Sequence, residues 1–345
     1  MEDLEDNALR NQRSYFVEKY LQEVIKPFLP KAYVGKVYSF GPPKGLYKSA
    51  EIGIGYSSKS FIGSKYYYKG KNEFIHYTSF PNLINILNDK AIRMYDFNYL
   101  NDPKEFVFAS QYLGDLQFNY NDIKSQLFSL SMCEYDEVIK PDSFDMWRLY
   151  GQFGKGVGIV LEFEKQNRKH WFNSYLSKIF YGEKYLKSFE GLKQRHDDFH
   201  RNNDFSIRNF QEIFLQLHAF HKHSIYASEN EVRLLKFIEK TPIYEDHNAS
   251  DVFLCSNSRF ELSYYTHLEL DSPEWRKSFE RFDDMELRDH AFRLYPTVKI
   301  KKVVLGYEFS RSSLYDIGEI VNKISIRNLG YNIPISISPL AEVLR

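Results

Sequence analysis

Between Gly154 and Glu164 the chain reads GKGVGIVLEFE, and this run constrains the fold more than any other segment. It predicts a central strand, because short apolar β-branched runs bury both faces in a sheet. Its glycines keep the start of the strand low and let another element, or a ligand, come close. Other strand-like segments are FIHYTS (74–79), AIRMYD (91–96), LFSLSMCE (127–134), EVRLLKFIE (231–239), TVKIKKVVLGYEF (297–309) and NIPISISPL (332–340). Helices alternate with them. Ser79 caps one over about 80–88, SFDMWRLYG gives a short one closed by Gly151, and SSLYDIGEIVNKI gives another. In LNDPKEF, Asp102 is an N-cap with Pro103 at the first helical position and Glu105 at the third, a reciprocal cap that accounts for Asn101 and Asp102 without a catalytic role. The stretch 165–225 reads as a mostly helical insertion packed on the sheet, and 250–295 as a charged region with SPEWRKSFERF as its helix. The class expected is α+β.

A chain of 345 residues permits one core or two. Its 46 Lys plus Arg balance 46 Asp plus Glu, which disfavours a globally basic nucleic-acid binder. Cys133 and Cys255 cannot build a disulfide framework. The acidic N-terminus lacks a signal-peptide run and nothing approaches eighteen apolar residues in a row, so a soluble cytoplasmic protein without membrane contact is expected.

The neutral total hides a local excess. Residues 26–75 carry nine lysines against Glu51 and Glu73, together with eleven Phe or Tyr residues. Lysines that meet phosphates and rings that stack on bases would suit single-stranded nucleic acid. A Tyr-rich hairpin pair with lysines on its wet face explains the same pattern. Residues 12–27 read as a helix with Phe16, Tyr20, Leu21 and Val24 in one stripe, ended by Pro27. The domain boundary expected sets an accessory region, 1–74, apart from a body, 75–345.

The common phosphate-loop, dinucleotide, esterase, zincin and redox fingerprints are absent from the sequence. The polar groups that stand out sit on strand-like segments: His76 and Tyr77, Ser129 and Ser131, Glu229 and Glu231. Residues two apart on a strand share a face, so each of the last two pairs is expected on one side. Trp147 and Tyr150 point to one side of their short helix, as a core pair or with Tyr150 at a cleft rim. His196 and His200 share a helix face and, with Asp197 or Asp198, have zinc-compatible spacing, as do His218, His221 and His223 nearby. No metal signature matches, and no metal is expected. Cys133 reads as a small buried hydrophobe.

The spaced set HYTSFPNLINILNDKAIR, LNDPKEF, SLS, MWRLYGQFGKGVGIVLEF, ENEVRLL and IKKVVLG resembles the bacterial family catalogued as domain of unknown function 2971, over residues 75–307. That family more distantly resembles the ADP-ribosyltransferase-like fold, a split pair of small sheets that grips NAD in a cleft. The resemblance implies ADP-ribosyl transfer from NAD to a macromolecular acceptor, protein or nucleic acid, by a toxin or antiviral effector. It implies a His on a first strand, a Ser on a middle one and a Glu near the end, the order in which His76, Ser129 or Ser131, and Glu231 occur. Here Tyr77 stands beside the His, and the middle strand carries Ser129-Leu130-Ser131 in place of Ser-Thr-Ser.

On that reading Glu231 stabilises charge developing on the ribose and Glu229 polarises the nucleophile. His76 holds a ribose hydroxyl, Tyr77 or Tyr150 stacks on nicotinamide, and Arg93 meets the pyrophosphate. Ser129 and Ser131 support the glutamate or the donor. Two other functions fit the sequence: a noncatalytic nucleic-acid-binding module that uses the 26–75 patch, and an NAD glycohydrolase with water as acceptor.

Overall fold

The apolar run around Gly158 forms a buried strand with a partner on each edge. The computed structural model describes residues 2–38, 48–55, 57–100, 105–106, 108–109, 112, 123–139, 142–165, 167–238, 252–256 and 262–344. The chain divides into two compact units, one of residues 1–68, 101–123 and 179–227, the other of 69–100, 124–178 and 228–345. Along the chain its first break falls between residues 68 and 69, where the expected boundary is near 75. The stretch 165–225 is not an insertion on the body's sheet, because most of it shares a core with the N-terminal residues.

In the first unit α1 (Glu2–Tyr20) runs into a turn of π-helix, Leu21–Ile25. Strands β1 (Val34–Tyr38) and β2 (Ser49–Ile54) pair antiparallel. Other elements of the unit are β8 (Phe180–Tyr181), α4 (Lys187–Asn202), β9 (Ser206–Ile207), α5 (Phe210–His218) and β10 (His221–Lys222). β9 extends the first sheet beside β2, and β8 pairs with β10. Aromatic contacts explain why the partition crosses so much sequence. Phe16 stacks on Phe205 at 5.0 Å, Phe28 meets Phe189 and Phe214 at 5.6 and 5.8 Å, and Tyr66 meets Phe180 at 5.4 Å. Phe61, Tyr66 and Tyr68 are buried, so these rings of the 26–75 segment are core residues and not platforms for bases. Lys65 lays its ammonium over the Tyr66 and Phe180 rings at 5.0 Å each, and desolvation there lowers its pKa to about 8. Glu105 is buried and pairs with Lys222 at 3.3 Å; Asn101, Asp102 and Pro103 of the expected cap lie outside the described residues.

The second unit is a sheet with helices. Its elements are β3 (Glu73–Thr78), α2 (Phe80–Asp89), β4 (Ala91–Asp96), β5 (Leu127–Glu134), α3 (Phe144–Leu149), β6 (Val157–Phe163), β7 (Ser174–Lys178), β11 (Glu231–Phe237), β12 (Val252–Ser256), β13 (Leu262–Glu269), α6 (Pro273–Ser278), α7 (Met285–Arg293), β14 (Val298–Leu305), α8 (Arg311–Leu329), β15 (Ile335–Ile337) and α9 (Leu340–Leu344). Ser79 caps α2 by accepting from the Asn82 amide, and α8 starts at Ser310 and stops at Gly330, whose φ is 82°. The strands run β12-β13-β4-β5-β3-β6-β14-β15, while β11 pairs with the opposite edge of β5 and carries β7 beyond it. The architecture is α+β with a mixed sheet; among the described residues no sheet closes into a barrel and no clear cleft of the ADP-ribosyltransferase type is formed. No described helix is long and apolar enough to cross a membrane.

Candidate functional site

One edge of β5 is shared by two strands. β4 pairs with its first half, Tyr95 opposite Ser129, and β3 with its last residues, Ile75 opposite Cys133. Between these pairings the sheet forks, and Ser131 at the fork is exposed although it lies in mid-strand. On the other edge Arg233 of β11 stands opposite Ser131, Glu231 opposite Cys133 and Leu235 opposite Ser129. Directly opposed residues share a face. Ser129, Ser131, Glu231 and Arg233 therefore lie on one side of the sheet, with Ile75 and Tyr77 beside them.

His76 leaves β3 on the alternate side, so strand alternation does not aim it at Glu231. Its Nδ1 instead bonds the Ser131 carbonyl at 2.9 Å, filling the place that a neighbouring strand would take at the fork. With that nitrogen donating, Nε2 carries the lone pair. Burial lowers the His76 pKa and the carbonyl bond raises it, leaving a net lowering that favours the neutral ring near pH 7.

The two glutamates do not share a strand face. The strand starts only at Glu231, and Asn230, at φ 46°, turns the chain between them. Glu231 is buried and holds Arg233 in a two-point contact, Nε to Oε1 at 2.7 Å and Nη2 to Oε2 at 3.1 Å. Arg233 is fully buried, with its guanidinium 5.3 Å from the Phe97 ring centre. Glu229 is also buried. Its Oε1 accepts from the Tyr150 hydroxyl at 2.6 Å, and its carbonyl accepts from Cys133 Sγ at 3.2 Å. Burial of both carboxylates excludes the solvated-edge alternative for them.

The expected ring-stacking and pyrophosphate groups separate. Tyr77 is a core residue, edge-on to Trp147 at 4.9 Å, with its hydroxyl accepting from the Ser143 amide. Burial drives its pKa up. Trp147 is fully buried whereas Tyr150 is 39% exposed, so the two do not form a buried core pair. Arg93 lies on β4, 4.9 Å from the Tyr265 ring centre and 3.3 Å from Asp89. Among the histidines, His196 bonds the Tyr20 hydroxyl at 2.8 Å and stacks on Phe210, and His200 Nε2 accepts from the Ile207 amide. The described residues contain no group of three or more ligand side chains arranged to hold a metal.

Sequence reasoning missed Arg233 and Asn230. The i, i+2 alternation that paired two serines would also have paired Glu231 with Arg233, whereas a left-handed Asn has no comparable periodic signal.

A family model described as Protein of unknown function (DUF2971) matches residues 146–234. The matched stretch includes Tyr150, Glu229, Glu231 and Arg233 and leaves His76, Ser129 and Ser131 outside. No curated protein and no solved structure matches the chain.

Proposed function

We propose that the chain cleaves NAD and transfers its ADP-ribose to a macromolecular acceptor. The observation that supports this most is the order β11-β5-β3: three strands far apart in sequence, bearing Glu231, Ser131 and His76, lie side by side at a fork where the central serine is exposed. NAD is consumed as a substrate. The bond from ribose C1′ to nicotinamide nitrogen breaks with its electron pair going to nicotinamide, and the ribose gains positive charge. A carboxylate fixed before the reaction stabilises that charge without reorganising. Arg233 fixes Glu231 in this sense. His76 leaves β3 on the side opposite Glu231, so its part is to hold the Ser131 carbonyl through Nδ1 and keep the fork open. The acceptor X–H forms its bond to C1′ and gives its proton to Glu229, in the position where the Tyr150 hydroxyl now donates. Tyr77 and Arg93 have no part in this arrangement.

A second reading, NAD hydrolysis, is favoured by the burial of Glu229 beneath Tyr150, since water needs less room than a macromolecule. One assay separates the two. With NAD labelled in its adenylate part, transfer puts label on macromolecules as nicotinamide appears, and hydrolysis leaves it all on free ADP-ribose. Absence of nicotinamide release in every condition rejects both.

A further inference from the structure

Glu229 and Glu231 are both buried, and each has a donor of its own, the Tyr150 hydroxyl for one and Arg233 for the other. Two residues apart on a continued strand, they would share a face, and carboxylates crowded together in the interior oppose each other's ionisation. The backbone prevents this at a single residue. Asn230 takes φ 46°, in the left-handed region, so β11 begins only after it and the Glu229 carboxylate meets Tyr150 just past α3.

Local contacts hold the turn in that shape. Asn230 Nδ2 donates to the Ser228 carbonyl at 3.3 Å, the kind of short-range bond that lets asparagine adopt left-handed backbone. From β5, Cys133 Sγ donates to the Glu229 carbonyl at 3.2 Å. The Asn230 side chain is itself exposed, so replacing it changes the backbone preference and little packing. We propose that Asn230 is a positioning residue, whose left-handed turn keeps Glu229 and Glu231 apart, each on its own donor. That this separation gives the two carboxylates their different parts in nicotinamide release rests on the proposed NAD reading. Glycine should serve in its place, because positive φ carries no steric cost for it, whereas a β-branched residue is strongly disfavoured there.

The test makes two measurements on the full chain carrying Cys255→Ser, which leaves Cys133 as its remaining thiol. One is the rate at which Cys133, buried and bonded to the Glu229 carbonyl, reacts with an aromatic disulfide reagent in the absence of NAD. The other is nicotinamide release. Asn230→Val should speed the thiol reaction by about tenfold or more, the scale set by left-handed backbone in an L-residue. It should also lower kcat by about tenfold or more with KM changed less. Asn230→Gly should stay within about twofold of the parent chain in both. Asn230→Ala, with no branch at Cβ, repeats the comparison with a smaller effect if the valine variant fails to fold. The proposal is overturned if folded Asn230→Val reacts at the parent rate, or if Asn230→Gly reacts as fast as Asn230→Val, which would put the hold in the amide side chain. Undiminished nicotinamide release by a folded Asn230→Val whose thiol reacts faster also overturns it, because the chemistry would not need the separation. If the parent chain releases no nicotinamide, the NAD reading fails, and the thiol rates still decide the turn.

Discussion

Glu231 and Arg233, two residues apart on one face of β11, form a buried ion pair through two hydrogen bonds of 2.7 and 3.1 Å. Removing one partner strands the other charge in the interior, so Arg233→Met should destabilise the protein by about 3–5 kcal/mol. Glu231→Leu combined with Arg233→Met should recover most of that loss, because apolar replacement of a whole buried pair is often near neutral. Urea denaturation of the single and double variants checks both. The proposed role of Glu231 sets a further expectation, that the double variant is folded and inactive.

The His76 ring stands in for a strand neighbour by bonding the Ser131 carbonyl. His76→Phe keeps the bulk and loses that donor, and should cost about 1–2 kcal/mol. Amide hydrogen exchange should quicken around residues 130–132 more than at β6. Uniform protection in the variant would show that the fork does not depend on the imidazole.

The first unit should be acid-sensitive through its histidines. Burial holds His218 and His196 down at about 3, and neither ring nitrogen of His218 has a hydrogen-bond partner among the described residues. Between that value and the unfolded value near 6.5 the unfolded chain binds more protons, so stability falls as pH drops, by about 1.4 kcal/mol per pH unit for each such group. The contribution is fully present above pH 6.5. His218→Phe should flatten the acid limb and stabilise the protein at pH 7, as followed by thermal melts from pH 4 to 8.

Two glycines should respond oppositely to alanine. A Cβ on Gly306 would lie 2.1 Å from the Gly154 carbonyl oxygen, in the turn after α3, and backbone cannot yield there. Gly318→Ala, in α8 with nothing within 4 Å of the new methyl, should stabilise by about 0.5–1 kcal/mol. Gly306→Ala should destabilise and also disturb the Tyr150–Glu229 bond. Denaturation midpoints decide both.

Much of the second unit is legible in its sequence, because periodicity and caps are local signals. AIRMYD and LFSLSMCE match β4 and β5 residue for residue, and Ser79 caps α2 as expected. The failures are non-local. β7 hides in a stretch read as helical, since its partner β11 lies more than fifty residues away. The Tyr66 and Tyr68 rings, read as a wet face or a base-stacking track, are buried, and Tyr66 packs against Phe180 and Phe220, contacts that no pattern within 26–75 announces. At the site, residue types were readable, but which face each takes depends on where β3 and β4 leave β5.

The central claim is that NAD reacts at the notch over Ser131. Ser131→Phe fills that exposed position, directly opposite Arg233. Nicotinamide release by wild type and Ser131→Phe, at equal melting temperature, is the most direct measurement. The account predicts release by wild type and at least a hundredfold loss in the variant, about 2.7 kcal/mol in transition-state terms. Release at the wild-type rate by folded Ser131→Phe, or no release by wild type, would contradict it.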